Sequence, residues 1–210
     1  MQLHLIRHGQ THWNAQRRIQ GQLESELDEL GLSQARERGK DFLHMPLQAA
    51  YCSSSIRTRQ TIDNMLPEYP HPIVYMDALR EVHLGIWQGR MWSEVEASHP
   101  DMVVAYNQAL PHFYVEGAET SAQAQQRGIQ AVEDIIMRHK HILNQPNILI
   151  VSHGAIMKKI LGFYVGIELT ELHKLPPLPN CAHCIVDVDG DSRRVSMIAG
   201  EPIESTAWCS

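Results

Sequence analysis

Two apolar runs in this 210-residue chain stop at the same dipeptide: Leu3-His4-Leu5-Ile6-Arg7-His8-Gly9 near the start, and Ile148-Leu149-Ile150-Val151-Ser152-His153-Gly154 far downstream. A run rich in Leu, Ile and Val that ends in a polar residue and a glycine reads as a buried strand reaching the edge of a sheet. Ligands of open α/β sheets collect outside the carboxyl ends of the strands. Two histidines delivered there by separate strands would face one site, with Arg7 beside the first. A third apolar stretch, 49–53, leads through Ser53-Ser54-Ser55 into a helical pattern whose first turn holds Arg57. A cation there opposes the helix dipole at a cost of roughly a few tenths of a kcal/mol. Helical side chains lean back toward the N-terminus, so Arg57 is expected to reach over the strand end. An anion held there would offset that cost, and removing Arg57 would leave stability unchanged or raised. After His153 and Gly154 a further helix begins, whose first N–H groups also suit an anion. Two arginines, two histidines and a helix start describe a pocket for a tetrahedral oxyanion, gripped by forked, charge-assisted hydrogen bonds. The plainer alternative is two strand-end polar residues with no shared role and a solvated Arg57.

The elements that must position these groups alternate. Strands are predicted over 2–7, 49–53, 72–76, 147–152, 183–188 and 194–199. Helices are predicted from Ser33, as N-cap, to His44; from the serine cluster to near Pro67; over 120–143, with Ile129, Val132, Ile136 and Leu143 on one face; and from Ala155 onward. This alternation predicts an α/β fold, a three-layer sandwich with a mostly parallel central sheet flanked by helices, in one domain over 1–210. Between Glu81 and Gly117 the pattern weakens into short helices broken by Pro100 and Pro111. That excursion, 81–117, is expected to cover one end of the sheet as a lid, packed by Trp87, Trp92, Tyr106, Phe113 and Tyr114, one or two of which line the cleft.

Composition excludes several classes. Apolar residues at 43% and charged residues at 20% are globular values. The net charge of −6, without a Lys/Arg run, gives no nucleic-acid footprint. No stretch approaches the roughly 20 apolar residues of a membrane span, and no basic leader precedes an apolar one, so a soluble cytoplasmic protein is expected. Cys181-Ala182-His183-Cys184 has a metal-like or redox-like spacing, yet no second cysteine pair completes a zinc site and the segment leads into a strand rather than a helix. Cys52 closes a strand and Cys209 lies near the end of the chain. His4, His8 and His12 recur every four residues, but they straddle a strand end and bring no carboxylate cluster, so no metal site is expected.

In order along nearly the whole chain, the motifs resemble those of the histidine phosphatase (phosphoglycerate mutase-like) superfamily. The similarity runs through Leu5-Ile6-Arg7-His8-Gly9-Gln10-Thr11 with Asn14, then Ser53 to Thr61 with Arg57. It continues through Leu79-Arg80-Glu81 and Gly85-Ile86-Trp87-Gln88-Gly89, then Glu119 with Arg127, then Val151-Ser152-His153-Gly154. The resemblance implies that His8 attacks phosphorus and becomes a phosphohistidine. It implies that Arg7, Arg57 and His153 hold the equatorial oxygens, and that Glu81 protonates the leaving alkoxide. Gly9, Thr11, Asn14, Gln20, Gly21 and Gly154 would make the remaining phosphate and substrate contacts, Gly9 by letting the backbone turn. Neither metal nor cofactor is implied. Departures fall at secondary positions: Gln10 and Gln88 where Glu is usual, Ala118-Glu119-Thr120 for Gly-Glu-Ser, and Glu24-Ser25-Glu26-Leu27 for Asp-x-Pro-Leu.

Within that family, the partner expected is a small-molecule phosphate ester, cleaved by a phosphatase. A phosphoglycerate mutase needs extra lid cations and a closed cover, whereas from Glu81 through Gln126 the only Lys or Arg is Arg90. Monophosphates with neutral or aromatic leaving groups are therefore expected to be the better substrates. A catalytically silent phosphate-binding protein is the alternative of another class, and the presence of both His8 and Glu81 argues against it. The sequence leaves the oligomeric state open, a homodimer included.

Overall fold

Ile148 and Ile150 pack into one apolar core, while Leu149 and Val151 between them pack into another. A period of two with both sides apolar marks a strand buried on both faces. In the computed structural model, which describes residues 1–142 and 145–203, that strand lies near the centre of a seven-stranded sheet. The strands are β1 (Gln2–Arg7), β2 (Leu47–Ser53), β3 (Ile73–Met76), β4 (Asn147–Ser152), β5 (His183–Asp189), β6 (Ser192–Ile198) and β7 (Glu201–Pro202), in the order β3-β2-β4-β1-β5-β6-β7. β1 to β4 run parallel. β5, β6 and β7 each pair antiparallel, so the sheet is mixed. The tight turn at Gly190, with φ 54°, explains part of this: a two-residue connection between β5 and β6 can only make a hairpin.

Seven α-helices accompany the sheet among the described residues: α1 (His12–Ala15), α2 (Glu29–Gly39), α3 (Ile56–Met65), α4 (Trp92–Ser98), α5 (Pro100–Asn107), α6 (Ser121–His139) and α7 (Gly154–Tyr164). α2 and α3 cover one face through Ala35, Ile62 and Met65. α6 and α7 cover the other through Val132, Ile135, Ile136, Ile156 and Ile160. Ile129 is only half-buried on α6, and Leu143 and Cys209 lie outside the described residues. Pro100 opens α5 at its first turn rather than breaking a helix, since the missing N–H is one that a helix start leaves unbonded anyway. No described helix is long and apolar enough to cross a membrane.

α2 starts four residues before the Ser33 expected to cap it. Asp28 is the N-cap, and its carboxylate accepts from Gly31 N at 2.8 Å. The sequence hides this start because a glycine in the first turn weakens the helical signal. Gly31 is required there by close approach. A Cβ on it would drive into the Gln10 carbonyl, and one on Gly9 would come within 2.6 Å of the Gly31 carbonyl oxygen. Gly9 therefore serves contact between the end of β1 and the start of α2. Its φ is not positive, so it does not supply the expected sharp turn.

His4 points to the α2 side, away from the crevice. Its Nδ1 lies 3.0 Å from His183 Nε2, and its Nε2 lies 3.3 Å from Asn147 Oδ1. Burial lowers the pKa of both rings, that of His183 to about 3. His8 and His153 are held down in the same way. All four stay neutral in the fold but charge in the unfolded chain below about pH 6.5. Their contribution to stability is thus complete above that pH and is lost as pH falls through the lowered values of the folded state, about 3 for His183. The unfolding free energy measured by urea titration is expected to drop between pH 6.5 and 5, by about 1.4 kcal/mol per pH unit for each such histidine at most, and the urea midpoint with it. A midpoint flat over that range would contradict the burial of neutral rings.

Candidate active site

Three neighbouring parallel strands, β2, β4 and β1, end at one edge of the sheet. β1 delivers Arg7 and then His8, β4 delivers His153, and β2 delivers Ser53 and, in the first turn of α3, Arg57. They meet at a cavity of about 400 Å³ lined by Arg7, His8 and Arg57, with Glu81 and Gly154 on its wall.

His8 is 3% exposed. Its Nδ1 lies 2.7 Å from the Gly9 carbonyl oxygen, which can only accept. The proton is therefore on Nδ1, and a neutral ring keeps its Nε2 lone pair free. Burial, then the charges of Arg57 and Arg7, hold its pKa well below the usual histidine range. The ring is a base whose nucleophilic nitrogen is unprotonated at neutral pH.

Arg57 is fully buried. It donates from Nε to His153 Nδ1 at 3.1 Å and from its terminal nitrogens to Leu23 O at 2.8 Å and Gly21 O at 2.7 Å. Two of its five N–H groups remain for a ligand. Arg7 donates to Leu178 O at 2.5 Å, while its buried Nε has no protein partner. Arg7 as a residue lines the cavity beside Gly154, so its guanidinium adds positive charge to that wall.

His153 sits edge-on to His8, with ring centroids 5.2 Å apart. Because Arg57 Nε donates to its Nδ1, its proton is on Nε2, which lies 2.7 Å from Ser53 Oγ. Both nitrogens are engaged, and the fully buried ring is not part of the cavity lining. In this arrangement it positions Arg57.

The sequence predicts that the N–H groups at the start of α7 point at the crevice. Those of Ala155 and Ile156 bind a side chain. Glu81 accepts from Ile156 N at 2.9 Å, Ala155 N at 3.0 Å and its own neighbour Val82 N at 2.9 Å. A carboxylate at a helix N-terminus satisfies two open donors and opposes the dipole charge. Glu81 is aimed in turn by Arg127, which pairs with Glu119 at 2.6 Å and donates to Ala78 O at 2.8 Å and Arg80 O at 2.9 Å. Glu119 closes the clamp by accepting from His83 N at 2.8 Å. The Glu24 segment, which departs from the family pattern, ties two elements together. Glu24 pairs with Arg80 at 2.7 Å and accepts from Ile56 N at 2.9 Å at the start of α3.

Of the other expected contacts, Asn14, Gln20, Gly21 and Gly154 line the cavity. Gly9 and Thr11 do not. Thr11 is fully buried and caps α1, its hydroxyl accepting from Asn14 N at 3.0 Å. Gly21 has φ 52°, and a Cβ there would collide with the Gln88 side chain. Within the excursion, Trp92 and Tyr106 reach the cavity, whereas Trp87 is buried beneath them. Arg18 and Lys158 also line it and were not anticipated. Lys158 lies one helical turn after Gly154, so spacing on α7 could have pointed to it. Cys181 and Cys184 are buried, and burial pushes both thiols up to about 11. Thiols so held are protonated and inert.

The α/β fold with its mixed central sheet agrees with the proteins this chain is similar to. The chain belongs to the histidine phosphatase superfamily, branch 1, whose family model matches residues 3–199. It is 30% identical over 159 residues to a metal-independent phosphoserine phosphatase of Arabidopsis thaliana, covering 74% of this chain and 65% of that protein. It is 29% identical over 187 residues to "Probable phosphoglycerate mutase GpmB" of Erwinia tasmaniensis, covering 89% of this chain and 85% of the other. Among solved structures, Bacillus stearothermophilus YhfR superimposes with a TM-score of 0.89 at 31% identity, over 97% of this chain and 98% of that one.

Proposed function

We propose that the chain is a metal-independent phosphomonoesterase that acts on a small phosphorylated metabolite through a phosphohistidine at His8. The observation that carries this reading is the neutral His8 ring, its proton fixed on Nδ1 by Gly9 O, on one cavity wall with the guanidiniums of Arg7 and Arg57. His8 Nε2 attacks phosphorus in line; the N–P bond forms as the P–O ester bond breaks. Arg7 and Arg57 balance the charge of the equatorial oxygens. Glu81, protonated for this half-reaction, gives its proton to the leaving alkoxide. In the second half, water attacks phosphorus, Glu81 takes a proton from it, and the N–P bond breaks to release phosphate and neutral His8.

The name of the Arabidopsis relative supports a phosphomonoester such as phosphoserine as substrate class. A cytoplasmic setting is part of the proposal, consistent with Cys52, Cys181 and Cys184 as free thiols. The test is a panel of phosphate esters, including nitrophenyl phosphate and phosphoserine, assayed with and without EDTA. Phosphate release unaffected by the chelator is expected. Loss in EDTA that a divalent ion restores would overturn the metal-independent reading. Transfer of phosphate between phosphoglycerate positions, without net release, would instead make the protein a mutase.

A further inference from the structure

A second cavity, of about 430 Å³, adjoins the first, and Tyr106, Ala155, Lys158 and Pro177 line both. The two form one cleft that extends away from His8. Lys158, Lys159 and His173 stand on the walls of the second part, and no Asp or Glu is among its lining residues. That is a concentration of positive charge in a chain whose net charge is −6.

Lys159 is the most telling of the three. It is only 5% exposed, and it lines the second cavity with none of the hydrogen-bonded side chains of the site engaging its ammonium. Opposite charge brought to that cavity would be favoured by a largely buried cation. Burial also lowers its pKa, against the more distant charges of Glu81 and Glu119. Lys158 and Lys159 follow Gly154 and Ala155 by one turn each, so the helix that brings its start to Glu81 brings both lysines to the adjoining cavity.

We infer that the second cavity is an anion subsite for the leaving-alcohol side of the substrate, with Lys158 and Lys159 as its specificity-determining residues. The group it takes is a carboxylate or a second phosphate, held while the reacting phosphate lies against Arg7, Arg57 and His8. This rests on the phosphatase reading. It also replaces the expectation, drawn from a lid with Arg90 as its only cation, that neutral leaving groups are preferred. The second set of cations comes from α7, not from the lid.

The test compares two esters that differ at one carbon: 3-phosphoglycerate, which ends in a carboxylate, and glycerol 3-phosphate, which ends in a hydroxymethyl group. Propanediol bisphosphate serves as the second-phosphate arm. The readout is the ratio of kcat/KM for each anionic ester to that for glycerol 3-phosphate, so that any general loss cancels. The wild type is expected to show a ratio of about 10 or more, and Lys158→Ala with Lys159→Met to bring it to near 1, chiefly through KM. The arm with the larger wild-type ratio identifies the preferred anion. Lys158→Ala alone, at the mouth shared by both cavities, is expected to lower the ratio severalfold and serves if the double variant does not fold. A wild-type ratio of 1 or below in both arms, or a ratio unchanged in the variants, would overturn the subsite. If no ester is hydrolysed, the phosphatase reading fails. Calorimetric binding of the same esters then decides the subsite separately, by the same ratio in Kd.

Discussion

His8→Ala is expected to lower kcat/KM by about 10⁴-fold or more, the scale seen when a covalent nucleophile is removed from a preorganised site. Brief incubation of the wild type with ³²P-labelled ester, quenched under conditions that spare an acid-labile N–P bond, should leave label on His8. The regiochemistry is a further check: with Nδ1–H donated to Gly9 O, the phosphoryl group must be on Nε2. Label on a serine, a cysteine or an aspartate would remove His8 from the nucleophilic role. So would wild-type turnover in the variant. Asparagine at position 8 could retain a hydrogen bond to Gly9 O without offering a nucleophile, so it should fail as badly as alanine while folding normally.

The two arginines are expected to separate activity from stability. Arg7→Ala and Arg57→Ala should each cost roughly 10²–10³ in kcat/KM, the loss typical of one preorganised oxyanion donor. Their effects on the fold should differ. Arg7 makes one bond, to Leu178 O, and carries a buried N–H with no acceptor, so its loss should change stability little. Arg57 is fully buried and ties the Gly21 and Leu23 carbonyls to His153. Removing it strands three acceptors and should destabilise the fold by on the order of 3 kcal/mol. The expectation of a neutral or favourable change counted only the unfavourable helix dipole at Arg57 and not the three buried acceptors it satisfies. Denaturation midpoints measured beside kinetics check both. Near wild-type turnover in either variant would break the proposed pocket.

What the sequence discloses here is local. Apolar runs closing at Arg7-His8-Gly9 and Ser152-His153-Gly154 mark β1 and β4 because each signal lies within a few residues. Position 57 is legible for the same reason, one turn after a strand. Contacts across long separations are not. Glu81 occupies the N–H groups of Ala155 and Ile156 from 74 and 75 residues away. No pattern in either segment announces this, so the helix start looked open to an anion. The Asp28 cap was masked by Gly31, whose presence answers to packing against Gln10 rather than to helix propensity. His153 was recognisable as a site residue, but its pairing with Arg57 and Ser53 depends on side-chain directions that spacing does not specify. Lys158 and Lys159 read as a polar step in an apolar helix until the cavity beside them is seen.

The position of β1 bears on how the protein reaches this state at all. It is an early strand of the chain, yet it lies between β4 and β5, so its partners are residues 147–152 and 183–187. A ribosome adding roughly 5–20 residues per second leaves Leu3, Leu5 and Ile6 without their strand partners for about 10 to 40 s. Parallel pairing at such separation closes slowly in any case. During that interval β2, β3 and α3 can associate locally, but the edge that β1 will occupy stays open. Nascent chains of this protein should therefore depend on factors that shield apolar segments, and the arrival of β5, the second partner of β1, should be the step that locks His8 into place.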